Sequence, residues 1–324
     1  MQNKYEIIRE LFKEYSLLNY PLASYDEFIQ RIMPERCFKL LYAATQKMGY
    51  SQADFVAMPQ LMYTVWVTEK TGRPVFEVRP DIMEALRDTD IPDFPLEDLK
   101  LPFEGIILKI DQDTFHGPAA NTGVLYVTQV DSDRFRVVFD INDEDTHFMN
   151  LTTDGCHTLK QSIEKSTQAT KEIPEHILKQ YEESRIYFDY YDSDVFRFVI
   201  NLVLYITSPD SDVKQDKTKI HALHQKLQAT KKKNKREIIL KQLRKAKDHK
   251  RYIVGANTKL TKEYKASLTD AGKKWALTHR FKVRGHFRKQ ACGKGYQDHK
   301  RIWVSPYWKG PTYAEMLGMN YVVT

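Results

Sequence analysis

The chain has 324 residues, 42% of them hydrophobic, and a formal charge of +7, which excludes a globally disordered protein. Its three cysteines, Cys37, Cys156 and Cys292, are too few and too far apart for a disulfide framework and fit a reducing compartment. The longest apolar stretch, Val195 to Ile206, includes Arg197 and Asn201 and falls short of the ~20 residues a bilayer requires. The opening MQNKYEIIRELFKEY is amphipathic and charged, unlike a signal peptide, so the expected location is cytoplasmic with no membrane partner. The charge is unevenly placed. Residues 214–324 carry 29 Lys and Arg against 7 Asp and Glu, a net of +22, whereas residues 1–213 carry −15. A chain divided in this way is expected to present two surfaces, a basic one that attracts polyanions and an acidic one that repels them.

The predicted fold is α+β in four parts. Residues 1–97 read as a helical N-terminal domain. Tyr5, Ile8, Leu11, Phe12 and Tyr15 recur at helical spacing. Ser24 is an N-cap candidate for a helix through Phe28 and Ile32. Further helices are expected over Cys37–Lys47, from a Ser51 cap through Phe55 and, past Pro59, Leu61 to Val67, and over Asp81–Arg87. Ile91–Pro102 contains three prolines and reads as a linker.

Residues 98–210 read as a mixed α/β middle domain with antiparallel strands. Phe103–Ile110, Val124–Val130 and Arg134–Ile141 are rich in β-branched and aromatic residues, and a tight turn at Asp131-Ser132-Asp133 predicts a hairpin. His147–Leu151 adds a strand. Helices follow near Thr158–Ser166, Pro174–Ser184 and Ser193–Thr207, the last apolar nearly all round and therefore buried. Asp140, Asp143, Glu144 and Asp145 lack the spacing of a calcium loop and read as a solvated acidic loop, so no metal or other cofactor is expected.

Residues 211–250 form a basic helical connector, a helix or helix pair with a thin apolar stripe. A solvated helix face usually mixes signs, but Lys231, Lys232, Lys233, Lys235 and Arg236 make a nearly uninterrupted basic block, a candidate contact for RNA or a ribosome.

Residues 251–324 read as a small basic β-rich C-terminal module, with strands at 251–257, 280–290 and 301–308 joined in one small sheet or partial barrel. In the first arm of Arg280–Pro311, Phe281, Val283, Gly285 and Phe287 alternate with Arg280, Lys282, Arg284, His286 and Arg288. A strand face this positive is most easily kept when something negative lies across it. In the second arm Arg301, Trp303 and Tyr307 share a face, and aromatic planes beside guanidinium groups suit RNA with unstacked bases. The candidate nucleic-acid ligands here are Lys282, Arg284, His286, Arg288, Lys294, Arg301 and Trp303.

The run Arg284-Gly285-His286-Phe287-Arg288, the Gly293-Lys294-Gly295 turn and Arg301-Ile302-Trp303 resemble the C-terminal module of a family of phage and mobile-element proteins. That family includes the second type V-A anti-CRISPR inhibitor. Similar segments stand in the same order at Leu101–Gln112, Arg134–Asp143 and Val195–Asp210. The resemblance implies a protein that acts in the bacterial host cell. Such a protein recognises a target, or its nascent N-terminal peptide, and provokes loss of the target's mRNA. An alternative from the residues themselves is a metal-independent endoribonuclease, with His286 as acid or base and Arg284 and Arg288 stabilising the phosphorane. A DNA-binding regulator is disfavoured, because the basic face lies on strands rather than on a recognition helix.

Overall fold

Alternating apolar side chains build the central layer. The computed structural model describes residues 4–32, 58–87, 89–91, 93–111, 115, 122–131, 134–141, 145–176, 179, 186–188, 194–209, 211–248, 250–255, 281–283 and 285–309. Eight strands form one sheet: β1 (Val75–Val78), β2 (Gly105–Lys109), β3 (Val124–Asp131), β4 (Arg134–Ile141), β5 (Asp145–Thr152), β6 (Ile186–Phe188), β7 (Val213–Gln215) and β8 (Arg251–Val254). Their order is β6-β5-β4-β3-β2-β1-β8-β7. β2 to β5 form an antiparallel meander, and β1 lies parallel to both β2 and β8. The two-residue period sends Leu125, Val127, Phe135, Val137 and Phe139 to one core and Tyr126, Val130 and Val138 to the other.

Helices cover both faces, and the α+β class expected from sequence is observed. On one face lie α1 (Lys4–Glu14) and α2 (Met58–Lys70), with Ile8, Phe12, Phe28 and Trp66 buried among them. Ser24 is the expected cap: its hydroxyl accepts from the Glu27 N–H at 3.2 Å. The Tyr63 hydroxyl ties this layer to the sheet by donating to Val130 O at 2.7 Å. On the other face lie α3 (Pro80–Arg87), α4 (Leu159–Lys171) and α5 (Asp194–Ile206). Thr158 and Gln161 close a capping box at the start of α4. From Val195 to Ile206 every residue of α5 except Arg197 is buried, as its nearly all-round apolar pattern predicts. The helix expected at Cys37–Lys47 lies outside the described residues.

The sheet crosses the expected part boundaries. β1 comes from the stretch read as helical, and its four residues between Pro74 and Pro80 are too short to show a period. The Ile91–Pro102 stretch is a packed strap. Phe94 and Leu99 are buried, Leu96 N–H donates to His157 O at 3.0 Å, and Leu159 N–H donates to Phe94 O at 2.9 Å. The basic connector is a pair of helices, α6 (Thr218–Ala229) and α7 (Lys233–Asp248), closed by their own small cluster around Leu223 and Leu243.

Candidate nucleic-acid interface

The C-terminal strands differ from the expected three-stranded sheet. β8 is part of the central sheet, where Glu77 and Asp216 both pair with its Arg251. The rest is a hairpin of β9 (Phe281–Val283), β10 (His286–Cys292), β11 (Asp298–Val304) and β12 (Tyr307–Lys309). β9 pairs with β12 and β10 with β11. Val283 stands opposite Tyr307 and His286 opposite Val304, so one register runs through both ladders, interrupted between them. The interruption has a cause. Gly285 bridges to Thr89, its carbonyl accepts from the Asp90 N–H at 3.0 Å, and Pro306 has no N–H to give.

This register separates two sets of residues that the alternation alone could not relate. Phe287 faces Trp303 and Lys289 faces Arg301, whereas His286 faces Val304 and Arg288 faces Ile302. Directly opposed residues share a face of an antiparallel pair. Trp303 therefore lies with the apolar arm rather than with the basic one. Phe287 is buried and Trp303 is half-buried against the main core. The Trp303 ring meets Tyr205 edge-on at 5.0 Å, and its Nε1 donates to Thr89 Oγ1 at 3.2 Å. Arg301 pairs with Asp98 at 3.3 Å, with 19% of its side chain exposed. Burial pulls the Arg301 guanidinium below its ordinary pKa, and Asp98 opposes that shift. Trp303 and Arg301 thus dock the hairpin onto the body.

What faces outward is a subset of the candidates. Arg288 and Lys294 are exposed and His286 is half-buried. Lys282 holds the register position opposite Trp308. Arg284 lies outside the described residues. Lys289 is exposed on β10 as well, on the face it shares with Arg301. At the helical pair, Lys231, Lys232, Lys233, Lys235 and Arg236 are all exposed around the inter-helix turn. The Arg236 guanidinium donates to Leu227 O at 2.8 Å and Thr230 O at 3.0 Å, capping the end of α6 and fixing the turn that carries the lysines. On the acidic side, an open groove of about 550 Å³ lies beside the strap. It is lined by Leu96, Leu99, Leu101, Phe103 and Phe135 together with Glu97, Lys100 and Glu104. Among the described residues no cluster of three or more His, Cys, Asp or Glu is placed to hold a metal, and no helix is long and apolar enough to cross a membrane.

Fold and surface together define an α+β protein with a cationic hairpin docked on a three-layer body. A family profile described as AcrVA2-like, the anti-CRISPR type V subtype A2 family, matches residues 76–311, and the chain belongs to that family. It is therefore an anti-CRISPR protein, and membership implies a protein target. Among solved structures, a crystal structure of AcrVA2 aligns with 95% of this chain and 94% of that chain, at 12% identity and a TM-score of 0.45. No curated protein gives a match.

Proposed function

We propose that this anti-CRISPR protein works through two surfaces in the cytoplasm of a bacterial host. The acidic part holds a target protein, in the sharper form a nascent N-terminal peptide of a CRISPR nuclease. The basic C-terminal third holds RNA or the ribosome, and engagement of both lowers expression of the target. The observation that carries this reading is the split between −15 over residues 1–213 and +22 over residues 214–324. Long-range attraction draws the basic third to phosphate, and like-charge repulsion keeps the acidic part clear for another partner. The groove beside the strap suits an extended apolar segment with a basic residue, since Glu97 and Glu104 line it with leucines and phenylalanines.

The experiment is a pull-down of the intact protein from translating lysate, with and without RNase. One protein retained after RNase, accompanied before RNase by its own mRNA, is the expected result. Bulk RNA with no defined protein would reduce the reading to a basic RNA binder. The endoribonuclease alternative rests on His286 and Arg288 being two apart on β10, hence on one face. His286→Ala that abolishes cleavage while sparing binding would favour it. Equal loss of both would favour a binding surface.

A further inference from the structure

The turn between β10 and β11 presents the most exposed large apolar side chain among the described residues. Tyr296 is 75% exposed, at the end of an arm whose other aromatics, Phe287 and Trp303, are packed against the core. The turn is held open by its backbone. Gly293 has φ 77°, and a Cβ there would overlap the Asp298 carboxylate. Gly295 has φ 70°, and Tyr296 itself takes φ 58°, a left-handed value that a tyrosine adopts at a cost. The Tyr296 N–H donates back to Gly293 O at 3.3 Å. Cations stand on the same hairpin. Lys294 is in the turn, and Arg288 lies about 17 Å from Gly293 at the ordinary rise of a strand. Both are exposed, and Asp298 is the only acidic residue between His286 and Val304.

We propose that Tyr296 is a stacking platform for an unpaired RNA base, with Arg288 and Lys294 holding the flanking phosphates. This rests on the RNA-facing reading of the basic third and gives it a contact residue and a substrate class, single-stranded RNA. The chemistry selects it. A bare aromatic ring among cations binds any base face, whereas a duplex keeps its bases stacked on each other and offers only phosphate.

The test uses the full chain and fluorescence anisotropy. The probes are a labelled single strand of about twelve nucleotides and the same sequence as a duplex, over a series of salt concentrations. Tyr296→Ala is expected to weaken single-strand binding about five-fold or more, with the salt slope and duplex binding unchanged. Tyr296→Trp is expected to retain wild-type affinity. Since the side chain is exposed, circular dichroism should report an unchanged fold for both. A Tyr296→Ala protein that binds the single strand like wild type overturns the stacking proposal alone, as does equal loss on both probes. A wild-type chain that binds neither probe overturns the RNA reading itself, and the stacking proposal with it.

Discussion

Gly285 lies so close to Thr89 that a Cβ on the glycine would overlap the Thr89 hydroxyl and come within 2.9 Å of Pro306 Cδ. The hydroxyl has little room to give way, because it donates to Ala85 O at 2.8 Å and accepts from Trp303 Nε1. Gly285→Ala should therefore lift the hairpin from the body and destabilise the protein by about 1–3 kcal/mol. A lower thermal midpoint with faster proteolysis between β9 and β12 is the expected outcome. An unchanged midpoint would mean that Thr89 and Pro306 give way at no cost.

Asn201 anchors the same junction from inside. Its side chain is fully buried on α5, and Nδ2 donates to Leu86 O at 3.1 Å and Thr89 O at 2.8 Å. Asn201→Leu keeps the branched outline, with bulkier methyl groups, and removes the donor. Leu86 O keeps the Thr89 N–H as donor at 3.1 Å, whereas the buried Thr89 carbonyl loses the Asn201 amide, a cost of about 1–3 kcal/mol in chemical denaturation. A neutral result would show that the α3 terminus finds other donors.

Arg301 is expected to act on stability first. Removing Asp98 leaves a largely buried guanidinium without its carboxylate, whereas an unbranched apolar residue at 301 removes the buried charge and leaves only the more exposed Asp98 without it. Asp98→Ala should lower the melting temperature more than Arg301→Met does. The reverse order would mean that the other contacts of Arg301, such as that to Thr207 Oγ1, outweigh its ion pair.

The lysines around the α6–α7 turn should set salt dependence. Replacing Lys231, Lys232, Lys233 and Lys235 with Gln is expected to flatten the slope of log affinity for single-stranded RNA against log salt by up to about 0.7 per lost phosphate contact. The melting temperature should stay put, since these side chains are exposed. An unaltered slope would move the phosphate contacts elsewhere.

Asp216 adds a pH dependence. Its carboxyl is held below the ordinary 3.8, first by the Thr218 hydroxyl and N–H, which outweigh the cost of burial, and last by Arg251. A depressed carboxylate stabilises the folded chain above its unfolded pKa, and that contribution disappears as pH falls through the lower folded value. The melting-temperature gap between wild type and Asp216→Asn should narrow on acidification from about pH 6 to below about pH 4. A constant gap would remove Asp216 from the acid response.

The sequence revealed most where a period was long enough to count. The buried α5, the β3–β4 hairpin and the Ser24 cap were all legible, each following from side-chain spacing within one element. What escaped depended on pairing across distance. The alternation in Arg280–Arg288 correctly separates its apolar arm from its basic arm, yet it says nothing about how Arg301 and Trp303 stand to either. Only the register, Phe287 opposite Trp303, assigns them to the inward face. The four residues of β1 carry no measurable period, and β8 reads with its sequence neighbours although its partners are β1 and β7. Tyr296 had a local sign, an aromatic just after Gly-Lys-Gly, but its exposure is a fact of tertiary structure.

The placement of β1 between β2 and β8 has a consequence for the chain's own synthesis. One edge of β1 is filled early, by residues 105–109, and the other only by residues 251–254. While the ribosome makes everything between, Val75 to Val78 carry an open parallel edge. Parallel pairing at that sequence separation is slow to close. The protein's birth is thus timed by its last central strand, and a truncation before Arg251 leaves an unsealed sheet that invites aggregation.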